Sequence, residues 1–236
     1  MHIESHSIKL RPGSLLALVL LACRVAVGQI PAAGSPGGIN TAFMKLFGDV
    51  SAFSARLEIQ VLDHSQKEWV RMPVDFATLD TKVRMDINLE QATSQDFPAG
   101  TIAAMKQAGM ERIVSISRPD KKTTFILYPG TKTYLSKPLA KGESDALEKG
   151  LRMEKTPLGK ETIDNHPCVK NKVVIRNQQG PVLEAVTWNA SDLKDLPVRV
   201  ETREKDTTVV MRFTKVQFTR PDALQFEVPA GYTQTK

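Results

Sequence analysis

The sequence is poor in cysteine, histidine and aromatic residues: two Cys, four His and 6% Phe, Trp and Tyr in 236 residues. Cys23 lies in or beside an N-terminal export-type segment, so Cys168 is the one cysteine left for a folded domain and no internal disulfide can form. Between Pro167 and Val169, at the start of an alternating apolar run, that thiol is expected to be buried as a small hydrophobe. Catalytic templates are missing as well. There is no Gly-x-Ser-x-Gly elbow, no His-Glu-x-x-His pair, no Cys-x-x-Cys and no phosphate loop. Gly130-Thr131-Lys132-Thr133 separates its Gly from its Lys and joins two expected strands, so it reads as a turn.

Past residue 28 the histidines are His64 and His166. His64 falls in an expected turn. His166-Pro167-Cys168 offers two soft ligands where a zinc site needs four, or three with an open position. No metal, cofactor or catalytic residue is expected, and an enzyme is the weakest reading. Asp192 and Asp195 flank Lys194 in a polar connection and read as surface, while the sequon Asn189-Ala190-Ser191 reads as incidental.

A long apolar run is also lacking. The longest near the N-terminus, residues 15–22, is less than half of the roughly 20 residues a membrane-spanning helix needs. It follows a basic start with Lys9 and Arg11 and is closed by Arg24, which is how a signal peptide is built. Two processing sites compete. Small residues in Ala26-Val27-Gly28 favour cleavage between Gly28 and Gln29 and soluble release to the periplasm. Leu20-Leu21-Ala22-Cys23 instead resembles a lipobox, with Cys23 acylated and the domain anchored at the outer membrane; the bulky Arg24 and Val25 fit it poorly.

Removing residues 1–28 takes away three basic residues and one acidic, so the formal charge falls from +6 to +4. Lys and Arg alternate with Asp and Glu along most segments, the pattern of solvated strand faces and not of a nucleic-acid stripe. Residues 29–40 are small and uncharged, a linker; residues 41–236 are enough for one domain with a continuous core, expected as a monomer.

What is abundant is two-residue alternation. Val70, Met72, Val74 and Phe76 alternate with polar neighbours, as do Val83, Met85, Ile87 and Leu89. Such segments are strands buried on one face. The same reading covers 52–62, 111–117, 123–128, 132–136, 169–175, 182–188, 197–201 and 209–218, roughly nine to eleven strands in all. The turns between them are too short for parallel crossovers, so the sheet is an antiparallel meander. Short helices are expected at 41–47, at 98–110 (between Pro98 and Gly109, with Asp96 as cap) and at 142–151. The fold class is α+β, mostly β, with helices covering one apolar face. That face carries Met72, Val74, Phe76, Val83, Met85, Ile87, Leu89, Met211 and Phe213, which are the ligand-cavity candidates because flexible Met beside Phe adapts to varied apolar guests. Each also reads as an ordinary core residue.

The C-terminal half carries a resemblance. Trp188-Asn189-Ala190, then Leu196-Pro197-Val198-Arg199-Val200, then Phe226-Glu227-Val228-Pro229-Ala230-Gly231-Tyr232 are similar to the close of LolA-type and LolB-type envelope domains. Gly159-Lys160-Glu161-Thr162-Ile163 and His166-Pro167-Cys168-Val169-Lys170 resemble the segment before that family's central strands. The resemblance spans residues 40–232 in element order and 156–232 in motif detail. It implies a half-open antiparallel barrel with helices over its concave face. It also implies a hydrophobic partner, an acyl chain or a lipidated protein, with the Phe226–Tyr232 ending packing the fold. A second reading keeps the core filled and makes the domain an envelope interaction or stress-sensor module that acts by protein contact.

Overall fold

The computed structural model describes residues 41–95, 97–139, 150–204 and 207–235. The expected signal and linker (1–40, with Cys23, Gly28 and Gln29), Asp96 and most of the expected helix at 142–151 lie outside these residues.

Alternation builds the sheet. In β1 (Ala52–Leu62), Phe53, Ala55, Leu57, Ile59 and Val61 are buried in turn while the residues between them are not. β2 (Glu68–Leu79) and β3 (Lys82–Asn88) continue the same inward face. There follow β4 (Thr93–Ser94), β5 (Arg112–Arg118), β6 (Thr123–Tyr128), β7 (Thr133–Pro138), β8 (Arg152–Ile163), β9 (His166–Asn177), β10 (Gly180–Ala190), β11 (Leu196–Glu204), β12 (Thr207–Gln217) and β13 (Thr233–Gln234). The described residues thus hold thirteen strands, two of them of two residues, where nine to eleven were expected.

The order is β13-β7-β6-β5-β3-β2-β1-β12-β11-β10-β9-β8, with β4 on β2. Two antiparallel meanders are joined where β1 pairs with β12, and β8 and β13 are the two ends of an open sheet. One pairing, β13 with β7, is parallel. The chain between β7 and β8 therefore joins opposite ends of the sheet instead of neighbours. The expected mostly-β, half-open architecture is what the chain adopts.

The helices are short. α1 (Thr41–Met44) runs into a 3-10 turn at Lys45–Phe47, and α2 (Thr101–Gln107) lies inside the expected 98–110 segment. Gly100, at φ 84°, precedes α2 without a side-chain cap. Gly150 and Leu151 are not helical.

Pro73 sits inside β2 opposite Glu58 of β1, and on the other side it falls in the gap between the stretch paired with β3, Val74–Leu79, and Val70 and Arg71, paired with β4. On the convex side the segment after β12 lays Phe226, fully buried, onto Ala77, Leu79, Val114, Ile116 and Leu127. The ending packs the fold, as its sequence suggested.

Candidate functional site

The nine cavity candidates come from β2, β3, the turn after β3 and β12, and the fold brings all of them into one apolar cluster. Each is at most 6% exposed. Their common face follows from register: Val74 lies opposite Ile87, Phe76 opposite Met85, and Ile59 of β1 opposite both Met72 and Met211. α1 and the following turn act as a lid on this concave face. The lid inserts Phe47 among Phe53, Phe76 and Phe213, with centroids 5.1 Å, 6.0 Å and 5.5 Å away, and Phe43 packs on Phe47 at 5.8 Å. The edge-to-face pairs of Phe47 with Phe53 and Phe213 add about 0.5–1.5 kcal/mol each beyond area burial. Burying Phe43, Leu46 and Phe47 contributes about 4.5–9 kcal/mol.

Beside the lid lies a cleft of about 540 Å³, lined by Leu46 to Ala52 on one side and by Met153, Lys155, Lys194, Asp195 and Phe218 on the other. Register explains its far wall. Met153 pairs with Ile175 and Lys155 with Val173, and cross-strand partners share a face. β8 therefore turns Met153 and Lys155 to the side where Val173 and Ile175 enter the main cluster. Lys155 Nζ reaches Asp195 at 2.8 Å, joining the edge strand to the β10–β11 turn. Lys194 Nζ stands 4.4 Å from the centroid of the Phe218 ring. Met153 is 41% exposed, an apolar side chain left open at the cleft.

The turn that carries Lys194 and Asp195 is held from within. Asn189 Nδ2 donates to the Asp195 carbonyl at 2.7 Å, and Asn189 Oδ1 accepts from Thr187 Oγ1 at 2.7 Å and from Asn171 Nδ2 at 3.1 Å. All three side chains are at most 2% exposed. A satisfied buried polar network of this kind fixes one conformation. Lys194 and Asp195 both take left-handed backbone, φ 55° and 58°, which for a lysine costs of the order of 1–3 kcal/mol and persists where the surroundings impose it.

These cleft residues were not singled out from the sequence, where Asp195 reads as plain surface. No local signal identifies them: residues 46–52, 153–155, 194–195 and 218 meet only through strand register. Asp192, also read as surface, bonds His166 Nδ1 at 2.8 Å, and that contact holds its carboxyl below the usual range. His64 is exposed in the β1–β2 turn. Cys168 is 3% exposed, as expected, and burial pushes its thiol above the ordinary value. A second hollow of about 440 Å³ on that side is lined by Lys160, Glu161, Thr162, Pro167, Cys168, Val169 and Ser191. Among the described residues no cluster of three or more His, Cys, Asp or Glu is arranged to hold a metal.

No protein-family model and no curated protein sequence matches the chain. Among solved structures it is similar to a LolA superfamily protein from Nitrosomonas europaea, at 8% identity over 87% of this chain and 97% of that one, TM-score 0.41. It is also similar to the Mycobacterium tuberculosis lipoprotein LppX, at 10% identity over 87% and 96%, TM-score 0.36. A third likeness is to the Pseudomonas aeruginosa MucA/MucB complex, at 12% identity and TM-score 0.39, covering 80% of this chain and 60% of that one. Identities of 8–12% transfer no site residue.

Proposed function

We propose that residues 41–236 form a non-catalytic envelope domain that binds a hydrophobic ligand, an acyl chain or the lipidated end of another protein, on the concave face beneath the lid. The observation that supports this reading is the cleft: it opens against Leu46 and Phe47, two of the residues through which the lid is seated on the apolar cluster. Movement of this seven-residue lid uncovers the part of that face on which it packs, Phe76 and Phe213 among the candidates, as the wall of a groove. The basic start and short apolar run of residues 1–28 support export. Cleavage after Gly28 suits a carrier that diffuses through the periplasm, whereas acylation of Cys23 makes a receiver fixed at one membrane. The intact mass of the mature protein separates the two.

Titration with a fluorescent fatty acid, and native mass spectrometry of protein from its own host, test the binding. Saturable uptake and a co-purified lipid are expected; a clean apo mass with no uptake overturns the proposal.

The full burial of the nine candidates favours the second reading, a filled-core module that works by protein contact. Met85→Ser distinguishes them. In a filled core it costs about 2–5 kcal/mol, while at a groove wall it costs less and weakens uptake.

A further inference from the structure

Resting on that binding role, we propose that the cleft selects amphipaths with an acidic head, Lys155 and Lys194 receiving the carboxylate or phosphate while the tail passes Met153 and Phe218 and runs on beneath Leu46 and Phe47 onto the concave face. Four charged side chains line the cleft: Asp49, Lys155, Lys194 and Asp195. Among the described residues no carboxylate lies within ion-pair distance of Lys194; its amine rests on the face of Phe218, which leaves N–H donors open to an anion. Lys155 does have a carboxylate, Asp195, but the two side chains are 30% and 62% exposed, so solvent reaches the pair and weakens it. An entering anion takes Lys155 and leaves Asp195 to water. Asp49 is exposed at the lid end of the cleft.

The geometry is prepared in advance. The Asn171–Thr187–Asn189 network holds the turn through the Asp195 carbonyl, so Lys194 is presented without reordering when a ligand arrives. The apolar part is equally explicit, since Met153 is exposed with no covering residue described and Phe218 is already half-buried against the main cluster. A charged end and an apolar end side by side are the requirement for a fatty acid or an acidic lipid.

The test uses three probes on the full chain: a fluorescent long-chain fatty acid, its neutral methyl ester, and a lysophosphatidic acid that competes with them. Wild type is expected to bind the acid about tenfold tighter than the ester, the scale of one charge-assisted contact. Lys155→Gln with Lys194→Gln is expected to abolish that preference, acid and ester then binding with equal affinity. Competition by lysophosphatidic acid that beats the fatty acid identifies phosphate as the head; the reverse identifies carboxylate. Equal binding of acid and ester overturns the head-group assignment while the hydrophobic role stands. Binding of neither overturns both.

Discussion

The ring of Phe47 meets that of Phe213 edge to face, with centroids 5.5 Å apart and planes at 87°. Phe47 belongs to the lid and Phe213 to β12, so this contact couples the lid to the sheet. Truncating Phe53 or Phe76, both inside strands, is expected to cost about 3–5 kcal/mol. Phe47→Ala is expected to cost less than about 3 kcal/mol, because the lid can detach while the sheet stays folded, and to speed fatty-acid uptake. Urea unfolding and stopped-flow uptake check both. A Phe47→Ala cost equal to that of Phe53→Ala, with unchanged uptake, makes lid and sheet one cooperative unit and removes the gate.

Gly130 in the β6–β7 turn lies against Gly109 at the end of α2. A Cβ on Gly130 would stand 2.4 Å from the Gly109 carbonyl oxygen and 2.8 Å from its Cα, both backbone atoms with little freedom to yield. Gly109 itself takes φ 65°, a conformation that favours glycine. Gly130→Ala is expected to destabilise by about 1–3 kcal/mol and to raise amide exchange in α2 before the rest of the chain. Exchange mass spectrometry with a chemical melt reads both effects.

Cys168 is buried, and its Sγ donates to the His166 carbonyl at 3.3 Å. Burial also raises its pKa, so little thiolate exists at neutral pH. Iodoacetamide is expected to leave the native protein unmodified over a time in which urea-unfolded protein reacts fully. Rapid labelling of the native chain on intact mass contradicts this.

Much of the fold is legible because burial writes a period into the sequence. Val83, Met85 and Ile87 alternate with Lys82, Arg84 and Asp86, and β3 lies where that pattern puts it. β8 carries no such signal: Arg152 to Thr162 are all exposed and Ile163 is half-buried, so the alternation that reveals a strand is missing. It is the edge strand, with Pro157 and a bulge between Pro157 and Gly159, features that discourage pairing on an open edge. The buried face was likewise readable, since Met72, Phe76, Met85 and Phe213 follow the strand period and share one apolar cluster. Lys155, Lys194 and Asp195 were not, because their meeting depends on the β8–β9 register and on the buried Asn189 network, neither of which leaves a local trace.

Arg118, 5% exposed at the end of β5, pins the C-terminal segment. Its Nε and Nη2 donate to Asp120 at 2.8 and 2.7 Å, and its Nη1 donates to the Phe226 carbonyl at 3.1 Å and to the Glu227 carboxylate. Lys121 Nζ adds a bond to Glu227 at 2.9 Å. Arg118 holds the Asp120 carboxyl below its usual range, and Lys121 with Arg118 does the same for Glu227. A carboxyl depressed in the folded state stabilises above its unfolded pKa of about 4, and that contribution is lost as pH falls from there through the folded value. Residues 223–235 are therefore expected to lose exchange protection below about pH 4 before β1, β2 and β12 do. Arg118→Met should bring the same local opening at neutral pH and flatten its acid dependence. If wild-type protection of this segment is independent of pH, burial of Phe226 holds it without help from the charges.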